Sequence, residues 1–207
     1  WHQLEQARSC FLRAIQVSAL SGFSDAAIYY RVILSRLSQM EGDLEAAARE
    51  IRQAVELMQV DAPGAVREQV IAQQVRIYLA QGDGAAAEAA LQGQGFSSWG
   101  QFTLPELAPD WKITPAAALL YNCALRILLY RAQARHEQAG LKPAPALAGR
   151  LVAAALQRQY VPLALETLLL RAQMHALLGN REAGLADYAH ALQLGEPEGF
   201  VSIFVEE

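Results

Sequence analysis

The sequence lacks the signatures on which many enzymes and nucleic-acid-binding proteins depend. None of its 207 residues form the G-x-x-x-x-G-K-[ST] loop that cradles phosphates, and no pair has the His-x-x-x-His or Cys-x-x-Cys spacing of common metal sites. Lys and Arg number 17 against 21 Asp and Glu, so a broad phosphate-neutralising face for DNA is excluded. We therefore expect no catalytic residue, cofactor, metal or direct nucleic-acid contact.

Long apolar runs and cysteines are also scarce. The most apolar stretch, residues 115–130, is too short to span a bilayer and contains Asn122 and Arg126, so no membrane segment is expected. Cys10 and Cys123 each occupy an apolar position of a helical pattern, which predicts two buried thiols in a reducing, cytoplasmic compartment. The alternative, a disulfide or a reactive pair, requires oxidising conditions or a special environment.

A repeat of about forty residues organises the chain. The pairs Gly42-Asp43 and Gly82-Asp83 are forty residues apart, and Gly140 and Gly179 are thirty-nine apart. Each glycine separates two patterns of helical period, as expected for a tight turn between antiparallel helices, where a positive φ is needed. About eighteen extra residues separate the second and third glycines. The region 93–114, rich in Gly and Pro and without helical period, accommodates them as an inserted loop.

The apolar residues around these turns recur at i, i+3, i+4 and i+7, which predicts one buried face on each helix. Before and after the first turn the face comprises Tyr30, Ile33, Leu34, Leu37, Met40, Leu44, Ala47, Ala48, Ile51, Val55 and Met58. Later faces comprise Leu120, Cys123, Ala124, Ile127 and Leu128, then Leu165, Leu168, Leu169 and Ala172, then Leu185, Tyr188 and Leu192. No segment has the period of two that indicates a strand.

Small residues follow the turns at a fixed offset. Ala47, Ala87 and Gly184 each lie five residues after a turn glycine, where a small side chain lets two helices approach closely. Large groups, Ile51, Leu91 and Tyr188, lie nine residues after it and are expected to fill the space between hairpins. Together these features divide the chain into a second helix of a hairpin whose first helix is missing (1–20), four hairpins (21–60, 61–92, 115–159 and 160–195), the inserted loop (93–114) and a capping segment (196–207).

These offsets resemble the tetratricopeptide repeat (TPR). The resemblance is good around Gly42 and Gly179, fair around Gly82 and poor around Gly140, where Pro145 is expected to start the next helix. It implies an all-α fold, a right-handed superhelix (α-solenoid) of tetratricopeptide-like hairpins. The period exceeds the usual thirty-four residues, which indicates longer helices.

A narrower resemblance lies in the last forty residues. Three runs in this part resemble the closing repeat of the MalT-like branch of LuxR-family transcriptional regulators. They are residues 177–183, Ala191-Leu192-Gln193-Leu194, and Glu196-Pro197-Glu198-Gly199-Phe200-Val201 with Phe204. Gly195 departs from the usual Ala of that family, and 157–159 lacks its usual small residues.

The MalT-like resemblance implies a regulatory region that receives an inducing signal, either a small molecule or a protein or peptide. In that family a STAND-type NTPase domain precedes the repeats and a helix-turn-helix domain follows them, so those domains are the implied neighbours. We expect a signal-sensing domain and no enzyme. The alternatives are a generic TPR scaffold for protein interaction, unrelated to transcription, and an enzyme with a distant catalytic constellation.

Counting back from each turn glycine predicts the residues that line the concave groove. They are Tyr29, Arg36, Gln39, Gln69, Arg76, Leu79, Gln173 and Ala176. Arg36 and Arg76 recur at the same offset and suit a carboxylate or polar ligand, whereas two solvated charges are the alternative.

Aromatic residues in the inserted loop and histidines near the turns complete the candidates. Trp99, Phe102 and Trp111 either pack on the nearest hairpin or form a lid over a sugar or peptide. His136 and His175 each lie four residues before a turn glycine, and we expect them at packing positions.

Overall fold

A computed structural model describes residues 2–58, 64–98, 101–102, 104, 114–197, 199–200 and 203–204. The described part is almost entirely helical. The chain divides into two compact units, residues 1–90 and 91–207. The right-handed superhelix stays a prediction, as do the domain boundaries.

The described part of unit 1 is built from packed helices. They are α1 (His2–Leu20), α2 (Ser24–Met40), α3 (Leu44–Leu57), α4 (Gly64–Ala80) and α5 (Gly84–Gln92), whose last residues enter unit 2. Helix α2 packs against α1, α3 and α4, and α3 also packs against α4. Their shared core consists of Ile28, Val32, Ala47, Ala48, Ile51, Ala54, Val70 and Ile77.

Unit 2 contains four further helices and a short β-hairpin. They are β1 (Ser97–Ser98), β2 (Gln101–Phe102), α6 (Pro115–Ala134), α7 (Ala144–Gln157), α8 (Val161–Leu177) and α9 (Arg181–Gly195). Helix α8 packs against α6, α7 and α9. The antiparallel β1–β2 pair is a correction to the prediction that the chain has no strand, and it lies within the predicted inserted loop.

The Gly-Asp pairs explain why the helices end and restart where they do. Gly42, Gly82 and Gly179 have φ of 83°, 78° and 80°, so the predicted glycine turns are confirmed at these three places. Asp43 and Asp83 then cap the following helices by accepting hydrogen bonds from the backbone N–H of Ala46 (2.8 Å) and Ala86 (2.9 Å).

The predicted turn does include Gly140, between α6 and α7, but Gly140 does not supply the positive φ that was expected of it. Helix α6 ends at Ala134, and exposed His136 has the positive φ (57°). His136 is therefore a turn residue and not, as predicted, a packing residue. Pro145 does lie in the first turn of α7, as expected.

Helix α6 is buried on every side within unit 2, since residues 121–129 are all buried. Its buried amide and guanidinium side chains have partners on α8: Asn122 Oδ1 accepts a hydrogen bond from Thr167 Oγ1 (3.0 Å), and Arg126 Nη1 lies 2.9 Å from Glu166 Oε1. No helix in the described part of the chain combines the length and apolar character needed to cross a membrane.

Several predictions of burial are wrong. Cys123 is buried, but Cys10 is exposed, and the two do not form a disulfide. The side chains of Met40 and Val55 are also exposed.

Ala47 lies at the contact between α2 and α3 and has no exposed surface. We expect Ala47→Leu to lower the free energy of unfolding by about 1–3 kcal/mol because the larger side chain overpacks this contact. Thermal denaturation measures the change, with Ala89→Leu at an exposed position of α5 as the control. Equal midpoints for the two variants would contradict the placement of the hairpin.

The turn between α7 and α8 uses Gln159 where the other turns use glycine. Gln159 has φ of 59°, and the N–H of Tyr160 donates to the carbonyl of Ala155 (2.9 Å), as in the glycine turns. A side chain in this region costs about 1 kcal/mol. We expect Gln159→Gly to stabilise the protein by about 1 kcal/mol in urea unfolding, whereas Ala153→Gly, at an exposed position inside α7, should destabilise it by about 1 kcal/mol. Destabilisation by Gln159→Gly would disprove this explanation of the turn.

Candidate functional site

Most of the predicted groove residues lie on two neighbouring helices of unit 1. We call this set, Tyr29, Arg36, Gln39, Gln69, Arg76 and Leu79, the α2–α4 surface. Tyr29 is 47% exposed, and the other five are half-buried. Arg36 and Arg76 each interact with another group of the protein.

A chain of buried hydrogen bonds holds α2, α3 and α4 together beneath this surface. Ser35 Oγ donates to the carbonyl of Ala47 (2.9 Å), and Gln73 Nε2 donates to Ser35 Oγ (3.2 Å) and to Gln39 Oε1 (2.9 Å). Both Ser35 and Gln73 are buried. The predicted groove residue Gln39 is therefore fixed in place by a side chain of the neighbouring helix.

Three buried polar atoms in unit 1 have no hydrogen-bond partner among the described residues. They are Arg31 Nε, Glu68 Oε2 and Gln73 Oε1. Arg31 does donate a hydrogen bond from Nη1 to Glu50 Oε2 (2.8 Å). Glu68 and Gln73 lie on α4, the helix that also carries Gln69 and Arg76, and Gln73 is hydrogen-bonded to Gln39 of the α2–α4 surface.

Aromatic side chains flank the start of α2. The ring centroids of Phe11 and Tyr30 are 5.8 Å apart, and those of Tyr29 and Tyr30 are 6.3 Å apart. The α2–α4 surface thus combines one exposed aromatic ring at one end with guanidinium and amide groups along its length. Such a combination can bind a ligand that carries both a flat or apolar part and hydrogen-bonding groups.

The remaining groove residues lie in unit 2. Gln173 on α8 is half-buried and already interacts with another group, and Ala176 is exposed. His175, predicted at a packing position, is half-buried. Its Nε2 lies 3.8 Å from Asp187 Oδ2, and Arg171 Nε donates to the same oxygen at 2.8 Å.

Of the three possible lid residues, the structure describes only Phe102; Trp99 and Trp111 lie outside the described residues. Phe102 is buried, and the guanidinium carbon of Arg131 lies 5.2 Å from its ring centroid. Nearby, Phe96 stacks edge-to-face on Tyr121 with centroids 5.2 Å apart. Burial raises the pKa of Tyr121, and the charge of Arg150 offsets part of that rise. Phe96 and Phe102 therefore anchor the described part of the predicted inserted loop to α6.

The outer side of α9 is an exposed surface, and the prediction that it is buried is wrong. Leu185, Tyr188 and Leu192 were expected to be buried, but they are 60%, 42% and 56% exposed. The buried face of α9 consists of Gly184, Asp187, Ala191 and Gly195. The spacing of these small residues was the signal that could have identified the true contact face.

The capping segment after α9 packs as predicted where the structure describes it. Phe200, Ile203 and Phe204 contact the core cluster of α8 and α9, and Val201 lies outside the described residues. Between this segment and α9 is an open cavity of about 600 Å³. Among the described residues, no group of His, Cys, Asp or Glu side chains could hold a metal ion.

Comparison with known families gave one match. The sequence model of the family described as "MalT-like TPR region" matches residues 1–207, the whole chain. Searches of curated proteins and of solved structures gave no match. The helical architecture, the glycine turns and the full-length match agree, and the chain belongs to the MalT-like TPR region family.

Proposed function

We propose that the α2–α4 surface binds the inducing signal of a signal-responsive, cytoplasmic transcription activator of the LuxR type. The family match over residues 1–207 carries this proposal, because it identifies the chain as a helical protein-interaction or regulatory region. The inducer is a small molecule or a segment of a protein.

The chemistry of the surface supports a ligand that bears a carboxylate or several hydrogen-bonding groups. Arg36 and Arg76 occupy equivalent positions on α2 and α4, and a guanidinium binds a carboxylate through two parallel hydrogen bonds. Gln39 and Gln69 add amide groups, while exposed Tyr29 offers a ring for stacking. These groups sit on helices joined by buried hydrogen bonds, so they are held in place before a ligand arrives.

The unpaired atoms at Glu68 and Gln73 also support binding on this side of α4. Buried polar atoms without a partner are uncommon in native proteins, and a bound ligand or water usually supplies the missing bond.

A thermal-shift screen of the protein against carboxylate metabolites and oligosaccharides tests the proposal. We expect compounds that raise the melting temperature to bind at least about tenfold more weakly to Arg36→Lys and Arg76→Lys, because Lys lacks the two-pronged geometry. Arg52→Lys, at an exposed position of α3, is the matched control and should leave the affinity unchanged.

A reporter assay with the full-length regulator tests the case in which the inducer is a protein. There, Arg36→Lys and Arg76→Lys should raise the amount of inducing signal needed for half-maximal transcription. Equal affinity and equal induction in all three variants would refute the α2–α4 site. A chain with no effect on transcription would favour the alternative function, a generic TPR scaffold for protein interaction.

A further inference from the structure

Helix α9 presents an apolar face to solvent. Leu185, Tyr188 and Leu192 project from one side of the helix, at i, i+3 and i+7, and exposed Ala189 lies between them. Single exposed apolar residues are ordinary, but three large ones in a row on one face indicate an interaction surface. We call this face, together with the cavity beside it, the α9 surface.

The packing on the opposite side of α9 fixes this orientation. A Cβ on Gly184 would lie 3.1 Å from the carbonyl oxygen of Ala172, so only a very small residue allows α9 to lie this close to α8. Arg171 Nε also donates to Asp187 Oδ2 at 2.8 Å, which ties α9 to α8. The helix therefore cannot rotate to bury its large side chains without losing both contacts.

The cavity continues the apolar face towards the end of the helix. Its walls are Leu192, Gly195, Glu196, Gly199, Phe200 and Phe204. A Cβ on Gly195 would lie 2.8 Å from Phe204 Cε2, so glycine here lets the ring lie against α9 and shapes the cavity. A volume of about 600 Å³ is enough for a bulky side chain of a partner.

The charge around the α9 surface is uneven. Arg181 and Glu182, both exposed, balance each other at the start of the helix. At the other end, Glu196 is exposed on the cavity rim, and no ion pair to it is recorded among the described residues. The exposed carboxylate of Glu196 therefore makes this end of the α9 surface attractive to cations.

We propose that the α9 surface docks an amphipathic helix of a partner protein whose apolar stripe ends in Lys or Arg residues. Apolar side chains of the partner, spaced i, i+3, i+4 and i+7, contact Leu185, Tyr188 and Leu192. One bulky side chain enters the cavity, and the basic end lies against Glu196, which sets the direction of the bound helix. This site is separate from the α2–α4 surface and does not depend on it.

Selection from a display library of helical peptides, with the protein as bait, tests the proposal. We expect the enriched peptides to share an apolar helical stripe with Lys or Arg at one end. Their dissociation constants, measured by fluorescence anisotropy, should rise about tenfold or more with Leu192→Ala, as is typical for a central apolar contact. Glu196→Lys should weaken binding about threefold or more at low salt and less at high salt.

The control variant is Gln133→Ala, at an exposed position near the end of α6, and it should bind as the parent does. Circular dichroism of each variant shows whether it is folded. No enriched peptides, peptides without a basic end, or peptides insensitive to Leu192→Ala would overturn the proposal. Self-association detected by light scattering and abolished by Leu192→Ala would also overturn it, because the occupant would then be a second copy.

Discussion

The close approach of paired helices at small residues is the constraint on which the two units depend. In unit 1, the side chain of Ser35 on α2 donates to the carbonyl of Ala47 on α3. In unit 2, Ala172 on α8 faces Gly184 on α9, and a Cβ added to Gly184 would lie only 3.1 Å from the carbonyl oxygen of Ala172. Within each pair, the two residues are twelve positions apart in the sequence, on either side of a glycine turn. With small residues at the contact, the backbones come together and the larger apolar side chains above and below interlock.

This packing leaves larger side chains on the outer faces, and these faces supply the two candidate binding surfaces. The α2–α4 surface is polar and aromatic, and buried hydrogen bonds from Gln73 hold its helices together. The α9 surface is apolar, with an acidic end at Glu196. In our two proposals, the α2–α4 surface binds the signal and the α9 surface docks a partner helix.

The turns could be predicted from the sequence because Gly-Asp encodes both a positive φ and a helix cap within two residues. The positive φ of Gln159 and His136 could not, since most non-glycine residues in a chain have negative φ and the residue type alone does not single out these two positions. The polar groove candidates were found by offset alone, whereas their hydrogen bonds depend on how α2 and α4 meet. The α9 prediction failed because periodicity finds an apolar face without showing whether large or small residues make the contact.

A series of increasing side-chain size at position 184 tests the central claim most directly. Gly184→Ser, Gly184→Val and Gly184→Leu would be compared by urea unfolding with the same residues at Ala186, which is exposed on the same helix. If the close approach holds the hairpin together, the free energy of unfolding falls with each increase in size at 184, by about 1–3 kcal/mol for the larger residues, and changes little at 186. Parallel behaviour of the two series would contradict the account.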